Sequence, residues 1–193
     1  MDKNNTNKNT EKELELAKKK EIAEWIVSIV VGVVVAVFIN QFILINAKVP
    51  SASMENNIMT GDRLFGYRLA YINEEPQRGD IVIFKYPDDE RQLFIKRVIG
   101  LPGDTVIIID GKVYINDSEE ALNEPYIAQE MIGSFGPYNV PEGHYFMLGD
   151  NRNYSRDSRF WENTYVSEDK ILGRALFRYS PKIGSIENNH PVY

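Results

Sequence analysis

The stretch WIVSIVVGVVVAVFINQFILI, residues 25–45, runs 21 residues without a charge, and Ser28, Asn40 and Gln41 are its clearly polar side chains. As a helix rising about 1.5 Å per residue it covers roughly 32 Å, close to the hydrocarbon thickness of a bilayer. Helices of water-soluble proteins keep a polar face, and this stretch has none. It is therefore read as one transmembrane helix spanning residues 25–46, with Trp25 at the interface. Lys18, Lys19 and Lys20 precede it, whereas Lys48 and Arg63 are the cations nearest beyond it. The positive-inside bias then leaves residues 1–24 cytoplasmic and places residues 47–193 outside. A cleaved signal peptide is the competing reading. The apolar run is longer than the usual h-region and Ile45-Asn46-Ala47 lacks a small residue at −3, while Ser51-Ala52-Ser53 is a weak second site, so an uncleaved signal-anchor is favoured. The Asn/Lys-rich residues 1–10 read as disordered, and residues 11–24 as an extension of the helix.

Outward from that segment, composition narrows the function. The 193 residues include no cysteine, which excludes disulfides, a thiol nucleophile and thiolate metal sites. Only His144 and His190 are present, too few for a three-histidine metal centre. A net charge of −6, all of it carried by residues 47–193, argues against nucleic acid as a partner. Neither histidine has an evident partner in sequence, and a Ser-His-Asp triad is disfavoured.

Beyond residue 47 the pattern changes to short apolar runs separated by turn residues. Candidate strands lie at 63–67, 80–86, 93–99, 105–109, 112–115, 145–148 and 171–179. Asp110-Gly111 between two β-branched runs signals a tight hairpin. Gln77-Arg78-Gly79-Asp80, Tyr86-Pro87-Asp88-Asp89 and Leu101-Pro102-Gly103-Asp104 are further turn signals. The fold class is mainly β: an antiparallel domain of about 147 residues, large enough for its own core, behind one N-terminal membrane helix.

Three clusters carry chemistry. In Phe94-Ile95-Lys96-Arg97-Val98-Ile99, strand alternation places Lys96 between Phe94 and Val98 on one face. Burial there disfavours the ammonium and makes Lys96 a candidate general base; a stem packed on the sheet with its head in water is the alternative. Pro50-Ser51-Ala52-Ser53-Met54 offers hydroxyl nucleophiles, although serines are common in linkers after membrane helices. Residues 149–161, GDNRNYSRDSRFW, mix charges of both signs. A calcium loop is opposed by Arg152 at the third ligand position and by the lack of a central glycine. An ion-pair network fits better.

Taken together, these clusters resemble the type I signal peptidase family, the bacterial Ser-Lys dyad leader peptidases. Pro50-Ser51-Ala52-Ser53-Met54 is similar to the family's P-S-x-S-M box, and Arg78-Gly79-Asp80-Ile81-Val82 to its R-G-D-[IV]-V strand. Lys96-Arg97-Val98-Ile99-Gly100-Leu101-Pro102-Gly103-Asp104 is similar to its K-R-x-x-G-x-P-G-D box. Gly149-Asp150-Asn151-Arg152, Ser155 and Asp157-Ser158-Arg159 are similar to its G-D-N-R-x-x-S-x-D-S-R box. The resemblance implies a signal-peptidase-type β domain that removes signal peptides through an acyl-enzyme, with no metal or cofactor. It implies Ser53 as nucleophile, Lys96 as base, Ser51 and the Ser53 N–H as oxyanion donors, and Ser155 as a support for the Lys96 amine. Arg97, Asp150, Arg152, Asp157 and Arg159 become an ion-pair scaffold, with Arg97 a partner for Asp150. The implied partners are membrane lipid, the secretion translocon, and preproteins with small residues at −1 and −3. The extended preprotein is expected to pair with an exposed strand edge.

Two positions depart from the pattern. Asn56-Asn57 stands where the family usually has Pro-Thr, and Glu162 follows Trp161 where Gly is common. The first keeps open a catalytically impaired, membrane-anchored binding paralogue. A self-cleaving regulator with the same dyad is opposed by the membrane segment. Ser167-Glu168-Asp169-Lys170 fits S-x-x-K, but without the S-D-N and K-T-G motifs of penicillin-recognising enzymes it is read as chance. A second outer subdomain, if present, must be small and lie within residues 105–142.

Overall fold

In the computed structural model, residues 3–186 are described, with side chains from residue 15 onward, so His190 lies outside the described residues. The chain divides into two units, 1–42 and 43–193. The first is one helix, α1 (Lys3–Phe42). Its 28 residues Glu15–Phe42 are long and apolar enough to cross a membrane and bury nothing within the structure. Val30, Val34 and Phe38 are all more than half exposed, as expected of side chains whose partner is lipid. This is a single-pass membrane protein. Two expectations change at the ends of the helix. Residues 3–10, polar enough to read as disordered, continue the helix. At the other end the helix stops at Phe42 rather than 46, and Leu44–Lys48 form a strand instead.

The second unit is β-rich. Its strands are β1 (Leu44–Lys48), β2 (Arg63–Tyr67), β3 (Ile81–Tyr86), β4 (Asp89–Gly100), β5 (Thr105–Ile109), β6 (Lys112–Ile115), β7 (Phe135–Asn139), β8 (His144–Leu148), β9 (Val166–Ser167), β10 (Ile171–Ser180) and β11 (Gly184–Ser185). The main sheet runs β1-β2-β10-β3-β4-β8-β9, with β11 beside β10, and every pairing is antiparallel. A second, three-stranded sheet, β6-β5-β7, lies within the range expected for a small subdomain. Its β5–β6 hairpin turns at Asp110 and Gly111, with φ of 46° and 82°. Both central residues are therefore left-handed, the conformation that an Asp-Gly turn is suited to supply.

Strand β4 organises the core. Phe94 and Val98 pack with Val82, Phe84, Tyr86 and Trp161, while Ile95 joins a cluster that includes Met54, Ile58 and Ile83. Ile99 reaches a third cluster shared with β5, β6 and β8. One strand thus ties three apolar clusters together and presents Lys96 where two of them meet.

Candidate active site

The loop carrying the two serines, between β1 and β2, is closed at its base. Val49 N–H donates to Asp62 O at 2.9 Å and Gly61 N–H to Val49 O at 2.8 Å. Met54 and Ile58, each 1% exposed, anchor the loop in the core. Burying two such side chains contributes roughly 1.5–3 kcal/mol each. Glu55 N–H donates to Ala52 O at 3.0 Å and Ile58 N–H to Met54 O at 2.9 Å, so Ser53 sits inside one tight turn and a second follows it directly.

Opposite the loop, Lys96 Nζ donates to Ser53 Oγ at 2.6 Å and to the Ile95 carbonyl at 3.1 Å. Ser53 is 7% exposed and Lys96 4%, with the amine 5.4 Å from the centre of the Phe94 ring. Burial lowers the Lys96 ammonium from the usual 10.5 to about 8, against the raising pull of Asp157 and then Asp150. Desolvation wins because neither carboxylate bonds the amine: Asp150 is taken up by Arg97 and Asp157 by Arg159. An amine in that state has a lone pair to accept the proton of a hydroxyl at neutral to mildly basic pH. Ser51 Oγ lies 3.4 Å from Ser53 Oγ. The two hydroxyls and the amine open on a cleft of about 460 Å³ whose apolar lining includes Ala47, Val49, Ile83 and Ile95.

The polar segment at 149–159 forms the floor. Arg97, fully buried, donates from Nε and Nη2 to the two Asp150 oxygens at 2.8 and 2.7 Å and from Nη1 to Gly79 O at 2.7 Å. This is the partner the sequence reading gave it. Its guanidinium also stacks 3.7 Å from the Tyr126 ring centre. Arg159 donates to both Asp157 oxygens at 2.8 Å. Arg152 pairs with Glu124 through both terminal nitrogens, a partner 28 residues upstream that no local pattern reveals. Gly149 is required by a close approach: a Cβ there would stand 2.2 Å from Ser155 Oγ and 2.4 Å from Ser53 O. Ser155 is 6% exposed, and its Oγ has no hydrogen-bond partner among the described residues. The bond expected from it to the Lys96 amine is absent here, where the amine is turned to Ser53 and Ile95.

Asn151 is the residue whose part the sequence reading missed. Its backbone N–H donates to Ser53 O at 3.1 Å and its side-chain Nδ2 to Ala52 O at 3.0 Å. Asn56 also departs from expectation in a definite way: its φ is 83°, left-handed, which proline's ring forbids. The turn here is built differently from one with proline in that place, and asparagine tolerates the conformation. Elsewhere, His144 bonds through Nδ1 to Glu142 O, and Ser167 and Lys170 are engaged with Asp169, as ordinary polar residues.

The profile of the family described as signal peptidase, peptidase S26, matches residues 22–180. A probable signal peptidase I-2 of Synechocystis is 39% identical over 178 residues, covering 86% of this chain and 80% of the relative. A signal peptidase I of Bacillus licheniformis is 37% identical over 174 residues, covering 85% and 91%. Signal peptidase I T of Bacillus subtilis is 37% identical over 187 residues, covering 91% and 93%. Because that likeness runs from the membrane helix through the last long strand and spans most of each relative, the chain belongs to the signal peptidase, peptidase S26, family.

Proposed function

We propose that Ser53 is the nucleophile and Lys96 the general base of this membrane-bound serine endopeptidase. Removal of signal peptides from exported preproteins comes with family membership; the assignment of roles to residues is inferred from geometry. The observation that carries it is the 2.6 Å separation of Lys96 Nζ and Ser53 Oγ in a pocket that leaves each nearly dry. Neutral Lys96 takes the Ser53 proton as Oγ attacks the scissile carbonyl, and the carbonyl π pair moves onto oxygen. Ser51 Oγ and the Ser53 N–H receive that oxyanion, each contributing about 3–4 kcal/mol on the scale of comparable donors. The protonated amine then returns its proton to the leaving nitrogen, and water, deprotonated by the same amine, releases the acyl-enzyme. Ser155 offers its unpaired hydroxyl to the amine when the latter turns from Ser53. Arg97, Asp150, Arg152, Asp157 and Arg159 hold the frame.

Substrate recognition follows from the walls of the cleft. Among the described residues, strand β1 pairs with β2 alone, and β4 gains β8 as a second neighbour from Arg97 onward. Residues 93–96 thus have β3 on one side and no strand on the other among the described residues. An extended peptide adding to such an edge satisfies its backbone, and its small −1 and −3 side chains enter shallow apolar pockets that exclude larger ones by clash. Residues 1–24 are taken as cytoplasmic, 25–46 as the anchor region and 47–193 as extracytoplasmic, on the charge bias of the flanks. A binding-only paralogue has no use for a buried amine against a hydroxyl. Preprotein cleavage in detergent by wild type, Ser53→Ala and Lys96→Ala tests the assignment: both variants are expected to be inactive, and full activity in either overturns that residue's role.

A further inference from the structure

The part of the site that must be aimed most accurately is the Ser53 N–H, since an oxyanion donor works only when it points at the oxygen as charge develops. That N–H belongs to the Ala52–Ser53 peptide, which is trans, so its C=O and N–H point in opposite directions in one plane. Whatever holds Ala52 O therefore holds the N–H. Ala52 O has two donors, Glu55 N–H at 3.0 Å within the loop and Asn151 Nδ2 at 3.0 Å from outside it. The next carbonyl, Ser53 O, takes Asn151 N–H at 3.1 Å. One residue thus grips two successive carbonyls of the nucleophile loop.

Asn151 is itself held on both sides. Asp150 before it is locked by the buried Arg97, and Arg152 after it is locked by Glu124 and by its own Nε bond to Gly149 O at 3.0 Å. Gly149 lies against Ser53 O with no room for a side chain. These ion pairs touch no reacting atom, yet they converge on the residue that holds the loop backbone at Ala52 and Ser53.

We propose that Asn151 is a positioning residue whose side-chain amide sets the plane of the Ala52–Ser53 peptide and so aims the Ser53 N–H at the oxyanion. A donor on Ala52 O also polarises the peptide and strengthens its N–H as a donor. Asn151 acts in the transition state more than in substrate binding, because the substrate carbonyl carries little charge before attack.

The inference rests on the reading of Ser53 as nucleophile, and the test separates the two. Full-length wild type, Ser53→Ala, Asn151→Ala and the near-isosteric, uncharged Asn151→Leu are compared in detergent for kcat, KM, pH profile and inhibition by a peptide aldehyde. The aldehyde adds reversibly to Ser53 Oγ and places a hemiacetal oxygen at the oxyanion position. Both Asn151 variants are expected to lose about 10- to 100-fold in kcat with KM within about twofold, in step with their loss of aldehyde affinity. The midpoint of the pH profile stays where it is in wild type, since the Lys96 amine is untouched. Asn151→Leu guards against a folding defect of the alanine variant, because it keeps the branched shape and carries neither a donor nor a charge. Wild-type kcat in the Asn151 variants, or a loss that appears in KM or as a moved midpoint with aldehyde affinity intact, overturns the inference. Activity retained in Ser53→Ala overturns the nucleophile assignment instead.

Discussion

Asp150 receives two hydrogen bonds from Arg97 in a setting where neither side chain is reached by solvent. A pair so placed contributes little net stability, because desolvation offsets its attraction, but removing one partner strands the other. Asp150→Ala is expected to destabilise the full-length protein by about 3–5 kcal/mol, read as a lower urea midpoint in detergent. Replacing both partners by apolar residues is expected to recover most of that loss. An Asp150→Ala midpoint equal to wild type contradicts the buried pair.

Position 56 distinguishes this chain's nucleophile loop. With φ at 83°, Asn56→Gly is expected to be neutral or stabilising by up to about 1 kcal/mol. Asn56→Pro forces φ near −65° and is expected to lower both stability and cleavage rate. Thermal unfolding and kcat/KM of the two variants check this, and a proline variant as stable and active as wild type refutes the conformation.

Gly149 is the tightest contact in the site. A methyl group there meets both Ser155 Oγ and Ser53 O well inside van der Waals distance. Gly149→Ala is expected to lower kcat/KM by at least 100-fold, on the scale of a lost oxyanion donor. Adding Ser155→Gly relieves one clash but not the other, so the double variant stays impaired. Cleavage assays of both forms decide it.

Much of the site is legible in the sequence because its parts come as short boxes. Alternation along 94–99 brackets Lys96 with apolar side chains, and the structure buries it as that pattern requires. The hairpin at Asp110-Gly111 is readable because its turn needs left-handed residues. Strand β1 is not readable as a strand: Leu44 and Ile45 continue the apolar run, and hydropathy cannot tell a residue facing lipid from one facing a core. Strand β7 holds Gly136 and Pro137, residues depleted in strands. The Arg152–Glu124 pair and the grip of Asn151 on Ala52, 99 positions away in sequence, exist only once the sheets have formed.

Lys96 also links stability to pH. Its folded value of about 8 lies below the usual 10.5, so between those values the unfolded chain binds the extra proton. Stability from this group therefore rises with pH across that window, and below it the folded state carries the cost of a charged buried amine, roughly 3 kcal/mol. Lys96→Met is expected to be more stable than wild type at pH 7 and to lose this dependence. Urea unfolding at pH 7 and pH 10 measures both, and equal slopes in the two proteins contradict the burial argument.

The role of Lys96 as base is tested most directly by the pH dependence of kcat/KM for a preprotein whose own groups do not titrate between pH 6 and 9. With Lys96 at about 8, log kcat/KM is expected to climb with unit slope from pH 6, bend near pH 8 and level off above it. A profile that is flat or falls across that range contradicts a lysine base.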